Sequence, residues 1–376
     1  MSWPKVKLGD VAPAIPVKNV NLDEDELVWQ LNLDQIESNT GKIVDKVKQP
    51  LSSAGSSTHF FNNEHVLYSK LRPYLNKVVV PDELGIATTE LVPMKPDQKR
   101  LNKEYLAYYL RSKPFVEWVS TQVSGAKMPR VVMSIFWQHE MPLPPLYEQE
   151  RIVSVLDKSN RLRQKREQAI KLADDFLRAT FLEMFGDPIE NPKGWNVKPL
   201  ADQIVHANNG ISRRRKEDTN EGDIVLRLQD VHYSGIAFDK ELNRIKLVDK
   251  EKQIARVEHD DLLFIRVNGN PNYVGRTAVF KSYIEPVYHN DHLIRIKLDN
   301  EYQSDFLCYL INSPFSRKLI AQQIKTSAGQ HTISQDGILK LMFYRPPIEL
   351  QEKFINIKNK IESIFYRKDK HEDLFA

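Results

Sequence analysis

An internal repeat constrains this chain more than any other feature of its sequence. Trp3, Leu8 and Asp10 recur as Trp195, Leu200 and Asp202, at a constant offset of 192. Leu67-Tyr68-Ser69-Lys70 lines up with Leu263-Phe264-Ile265-Arg266, and Tyr109-Leu110 before Pro114-Phe115 returns as Tyr309-Leu310 before Pro314-Phe315. Ser124-Gly125-Ala126-Lys127 corresponds loosely to Ser327-Ala328-Gly329-Gln330. Pro144-Pro145-Leu146 with Gln149-Glu150-Arg151 returns as Pro346-Pro347-Ile348 with Gln351-Glu352-Lys353. The matches keep their order with small drifts in offset, so the chain reads as two copies of one unit.

Each copy has two parts. The first mixes short β-type runs with turn residues, as in 77–81, 223–228, 261–267, 277–280 and 293–298. A short helix fits around 104–110 and again around 303–311. The second part starts after the Pro-Pro pair, which stops extended chain and is tolerated ahead of a helix. Residues 146–185 then hold neither Gly nor Pro, place Glu148 and Glu150 in the first turn, and end at Gly186-Asp187-Pro188. The expected boundaries are globular parts over 1–145 and 187–347, with helices over 146–186 and 348–376.

Apolar residues in the first helix recur every seven positions. Val155, Leu162, Ala169 and Phe176 form one row, with Leu156, Ile170, Leu177 and Met184 beside it. The second copy supplies Phe354, Ile357, Ile361 and Ile364. Sustained seven-residue spacing implies a seam against another helix. The fold class that follows is α+β: two similar β-rich domains separated by two long helices packed as an antiparallel coiled coil. The other reading has each helix packing on its own globular domain.

Composition enters through what it excludes. The 14 glycines never come closer than Gly269 and Gly275, so there is no G-x-G and no P-loop. Phosphate- and methyl-donor-binding turns need closely spaced glycines to bring backbone N–H groups onto the ligand. A lone cysteine, Cys308, excludes a disulfide framework and a multi-thiolate metal site, and a cytoplasmic setting is expected. No apolar run is long enough to span a bilayer, and the charged opening after Met1 gives no secretory signal.

The net charge is only +4, from 54 Lys+Arg against 50 Asp+Glu, so local clusters are more telling than the total. Residues 146–186 are nearly neutral, with 8 basic and 7 acidic side chains, which suits protein contact better than a phosphate backbone. The candidate DNA-binding residues lie in the globular parts: Lys70, Arg72, Tyr74, Lys77, Lys127 and Arg130 in the first copy. The second supplies Arg213, Arg214, Arg215, Lys216, Arg266, Asn268, Asn270, Gln330 and His331. Arg, Asn and Gln can read base edges with paired hydrogen bonds, while Lys mainly anchors phosphate. The competing account of each cluster is a solvated loop; recurrence in both copies favours function. Asn312-Ser313-Pro314-Phe315 superficially resembles a methyltransferase loop, but it lacks the first of that loop's two prolines, and a hydrophobic turn after a helix fits better. His289-Asn290-Asp291-His292 carries metal-ligand types, yet its counterpart Ala87-Thr88-Thr89-Glu90 does not. No catalytic residue and no metal ligand is assigned.

The stretch from Pro142 to Val153 (PLPPLYEQERIV), the stretch from Phe181 to Pro188 (FLEMFGDP) and Gly194-Trp195 are similar to the specificity subunit of type I restriction-modification systems. That resemblance covers the whole chain. It implies that each globular part is a target recognition domain reading one half of a split double-stranded DNA site. The helices would space the halves and dock methyltransferase subunits, two of them, and through these the nuclease-translocase subunits. The chain itself would be non-catalytic and bind no cofactor; S-adenosylmethionine, ATP and magnesium would belong to the partners. One departure is that the second helix stops at Ala376, where its counterpart has reached only Asp174. The alternative is a coiled-coil interaction scaffold without DNA specificity.

Overall fold

The computed structural model describes residues 3–212, 221–233, 235–238 and 241–365. It divides into two compact units inside one helix, Met1–Lys165 and Arg166–Ala376.

The first unit pairs Leu27–Leu31 in parallel with Gly85–Thr88, flanked by Lys48–Pro50 and Thr58–Phe61. A second sheet sets Val66–Ser69 between Val78–Val79 and Leu91–Met94, all antiparallel. A small hairpin joins Val123–Ser124 to Arg130–Val131, and Lys5–Lys7 pairs with Glu140–Pro142 to bring the two ends together. Two consecutive helices, Lys103–Arg111 and Lys113–Thr121, cover a core built on Leu8, Tyr68, Leu106, Phe115 and Phe136.

The second unit repeats this plan. Asp223–Leu226 runs parallel to Val287–His289, and Leu262–Ile265 lies between Thr277–Val279 and Leu293–Leu298. Lys325–Ser327 and Gln330–Thr332 form the hairpin, and Val197–Pro199 pairs with Met342–Tyr344. Helices Ser304–Asn312 and Pro314–Gln323 again follow one another. The repeated sequence segments therefore fall on equivalent elements.

Two local expectations change. The strands are shorter than the runs 77–81, 223–228, 261–267 and 277–280 that suggested them, whereas Leu293–Leu298 fills its run. Pro114 and Pro314 open helices rather than turns: Ser313 caps the second of these by accepting from the Ser316 N–H, and proline fits the first turn because its missing donor would be unpaired there. Nor does the Asn312 amide face a substrate pocket. It is buried and pairs with both the N–H and the C=O of Thr277.

The long helix spans Leu146–Phe185, forty residues and thus about 60 Å. It stops where Gly186 takes φ +79° and packs so tightly on Pro192 that a Cβ would lie 2.6 Å from Cγ. Its start, through Ile152 and Val153, packs on the first core. Its end belongs to the second: Phe181 and Phe185 stack edgewise on Phe354 of the C-terminal helix Ile348–Phe365 at centroid distances of 5.3 and 5.8 Å, and Phe185 meets Phe306 at 4.9 Å.

Most of the expected row is exposed among the described residues. Val155, Leu162 and Phe176 are 61%, 61% and 55% exposed, and Ala169 is half-buried. The buried stripe is Ala173, Leu177, Phe181 and Phe185, four apart, and its last two members join the second unit's core. On the C-terminal helix Phe354 is buried, Ile357 and Ile361 are half-buried, and Ile364 is exposed. Phe181→Ala should lower the stability of the second unit by about 3–5 kcal/mol. Phe176→Ala should stay within about 0.5 kcal/mol; urea unfolding of the two variants checks the contrast.

Candidate nucleic-acid interface

The two units hold one basic residue each in the same backbone slot. The Lys70 N–H donates to the Glu90 carbonyl at 3.0 Å, and its carbonyl accepts from the Val131 N–H at 2.9 Å. Arg266 repeats this with the His292 carbonyl at 2.8 Å and the Ile333 N–H at 2.9 Å. In both, a strand leaving a sheet is caught between the next strand of that sheet and the small hairpin. The chain beyond it, starting Leu71-Arg72 or Val267-Asn268, then runs along that hairpin.

In the first unit this assembles Lys70, Arg72, Tyr74, Lys127 and Arg130. Leu71 bridges Arg130, and the Arg72 N–H donates to the Pro129 carbonyl at 2.8 Å. Arg72 and Asn76 both sit at φ +50°, a left-handed backbone that side-chain-bearing residues adopt at a cost. They bracket the turn Pro73–Leu75 and leave Tyr74 exposed. Lys127 is exposed on the hairpin tip. Two members are already engaged. The Lys77 ammonium donates to the Leu33 carbonyl at 2.6 Å, and Arg130 Nε lies 2.9 and 3.2 Å from the two Glu90 oxygens.

In the second unit Asn268 pairs with His331, which in turn pairs with Thr326; Gln330 sits exposed at the hairpin tip. His331 Nδ1 lies 2.8 Å from Thr326 Oγ1. Arg266 Nη1 donates to the Asp291 carbonyl at 3.1 Å. Asn268 Oδ1 accepts from the Asn270 N–H and Asn270 Oδ1 from the Asn272 N–H, so both side-chain oxygens shape the loop and leave the NH2 groups for readout. Arg213, Arg214, Arg215 and Lys216 lie outside the described residues. Their root is described: Ile211 bridges Asn290, donating to the His289 carbonyl at 3.1 Å and accepting from the Asp291 N–H at 3.0 Å. Gly210 makes this approach possible, since a Cβ there would stand 2.1 Å from the His289 oxygen. The segment 289–292 thus carries the loop root on one side and Arg266 on the other.

Residues 2–172 match the model of the type I restriction modification DNA specificity domain. These residues belong to that domain family. Among curated relatives, the StySPI type I restriction enzyme specificity subunit of Salmonella potsdam is 30% identical over 280 residues. That match takes in 71% of this chain and 59% of the relative, so the chain spans about three fifths of the relative's length. A crystal structure of a type I restriction-modification system S subunit from M. genitalium shares the fold with a TM-score of 0.60 at 17% identity, covering 98% of this chain and 92% of that one. A chain from a study of complex assembly and conformational transition of the type I R-M system gives 0.56 at 18%, covering 99% and 94%.

Around the repeated slot, the second unit adds residues that sequence patterns did not single out. Arg317 Nη2 donates to the carbonyls of Pro271, Asn272 and Val274, and the Arg276 guanidinium lies 4.0 Å from the Tyr273 ring centre. Together they fix the Asn-rich loop. Only the tertiary fold brings Arg317 there, 43 to 46 residues from its partners.

His289, which had metal-ligand character in sequence, is fully buried beneath the loop root. Burial, reinforced by the nearby Arg295 charge, pushes its imidazole down to about 4. The unfolded chain binds this proton below about 6.5 and the folded chain does not until about 4, so stability falls on acidification across that window. Between pH 6 and 5 the loss should approach about 1.4 kcal/mol per pH unit. His289→Phe should flatten that slope in thermal melts.

Proposed function

We propose that this chain is a DNA-specificity subunit of a type I restriction-modification complex, each unit reading one half of a bipartite double-stranded site. The observation that carries this is the shared slot: Lys70 and Arg266, held by equivalent pairs of backbone hydrogen bonds, each open a segment lined with cations, amides and a tyrosine. Equivalent placement with different side chains is what two readers of different half-sites require. Phosphate contact from Lys127 and the Arg213–Lys216 loop positions the duplex; Arg266, Asn268, Asn270, Gln330 and His331, with Arg72 and Tyr74, face the bases. Lys77 and Arg130 serve the loops' geometry, given the partners they already hold.

The helices act as spacer and partner dock. The long helix keeps Val155, Leu162 and Phe176 exposed at seven-residue spacing, a seam that fits further helices. We assign it to methyltransferase subunits, two per chain, through which nuclease-translocase subunits join. The antiparallel pairing of the two long helices belongs to the same proposal. The chain is non-catalytic on this reading, and methyl donor, ATP and magnesium bind the partners. It works on DNA in the cytoplasm; among the described residues no helix is long and apolar enough to cross a membrane.

Binding-site selection on the complex reconstituted with its methyltransferase tests the reading. Two short conserved blocks around an indifferent middle are expected; random selected sequences would leave only an interaction scaffold. Replacing Arg213, Arg214, Arg215 and Lys216 together by Ala should weaken binding to every sequence. It should also reduce the slope of log affinity against log salt by about 1 for each cation that meets a phosphate. Unchanged affinity at matched salt removes the loop from the interface.

A further inference from the structure

Each long helix is fastened to its own globular unit by one buried glutamine, with the same three bonds in both copies. Gln149 Oε1 accepts from the Asn102 N–H at 2.8 Å, while Nε2 donates to the carbonyls of Arg100 and Pro144, each at 2.8 Å. Gln351 Oε1 accepts from the Gln303 N–H at 2.9 Å, and Nε2 donates to the carbonyls of Glu301 at 3.3 Å and Pro346 at 2.8 Å. The correspondence is complete. Asn102 and Gln303 are the residues that cap the next helix, accepting from the Tyr105 and Phe306 N–H groups. Arg100 and Glu301 lie two residues before those caps, and Pro144 and Pro346 are the first prolines of the two Pro-Pro pairs. Both glutamine side chains are fully buried.

A methionine or leucine would fill the same volume, so packing does not demand an amide here. What the amide adds is direction. One donor ties the helix to its own entry segment, while the other donor and the acceptor tie it to the globular unit. The helix then cannot roll or tilt without leaving a buried polar group unpaired. Direction matters because the helix is a lever. For the Leu146–Phe185 rod of about 60 Å, a tilt of about 5° at the root moves the far end by about 5 Å, more than the roughly 3.4 Å between successive base pairs. The C-terminal helix, about 27 Å over its 18 residues, moves its end by about 2 Å.

We propose that Gln149 and Gln351 are positioning residues that set the angle between reader and helix, and thereby the number of base pairs the complex tolerates between its half-sites. This rests on the bipartite-site reading above. The test is selection from a library with the half-sites fixed and the gap varied by single base pairs, using the full chain in its methyltransferase complex. Wild type should take one gap length. Gln149→Met should keep the half-site sequences but lower the preference for that gap over its neighbours about tenfold, and Gln351→Met, at the root of the shorter helix, should lower it independently and by less. A gap preference unchanged in both variants would confine the glutamines to stability and overturn the proposal. So would failure of both variants to form the complex. Wild type selecting no bipartite site at all would instead refute the functional reading, so the two failures are distinguishable.

Discussion

Everything in this chain is organised around one helix whose two ends are built into two different cores. Ile152 and Val153 are packed on the first unit, and the Tyr108 hydroxyl donates to Asp157 at 2.5 Å and accepts from Asn160 at 2.9 Å. Phe181 and Phe185 are part of the second unit's own interior, alongside Phe306 and Phe354. The segment between those anchors holds neither Gly nor Pro, the commonest causes of a kink. The middle of the helix is polar with an exposed apolar row, so its stability there comes from propensity, from local ion pairs and, on the proposed reading, from partner helices.

The interface shows why a charge count misleads. Several cations that look available in sequence are occupied: Lys77 by a carbonyl, Arg130 by Glu90, Arg317 by three carbonyls. A buried ion pair, Arg295 Nε to Asp261 at 2.7 Å, lies in the sheet that bears Arg266 and contributes structure rather than external field. Lys281 is shared between Asp260 and Asp305. On the proposed reading, the contacts to phosphate fall to Lys127 at its hairpin tip and to the Arg213–Lys216 run, in a chain whose net charge is only +4.

The architecture was legible because duplication multiplies weak signals. A single Pro-Pro or Tyr-Leu match says little; the ordered series pointed to two equivalent units, and both topologies agree. Helix ends were legible for a local reason, as at Gly186. The burial of the long helix was not: seven-residue spacing identifies an apolar row but cannot say whether a helix, a core or a partner covers it, and at the helix's end Phe181 and Phe185 join a core whose other members run from Leu200 to Ile355. The candidate site was half legible. Lys70 and Arg266 were found because they follow matching strands, whereas Arg317 and the 289–292 segment act through contacts distant in sequence. Gln149 and Gln351 stood in plain view as a motif, but only burial shows what the amide does.

The two copies differ in an informative way. At the root of each helix both units carry the same geometry-setting residues, the paired prolines and the buried glutamine. Where a residue faces outward from the shared slot, they diverge, Lys70-Leu71-Arg72-Pro73-Tyr74 against Arg266-Val267-Asn268-Gly269-Asn270. Buried polar contacts admit few substitutions, because each replacement strands a partner, while an exposed loop side chain can change without cost to its neighbours. On the proposed reading, a duplicated unit on a shared strut is therefore free to acquire two different readouts, and the Arg213-Arg214-Arg215-Lys216 run of the second copy is one such divergence in sequence.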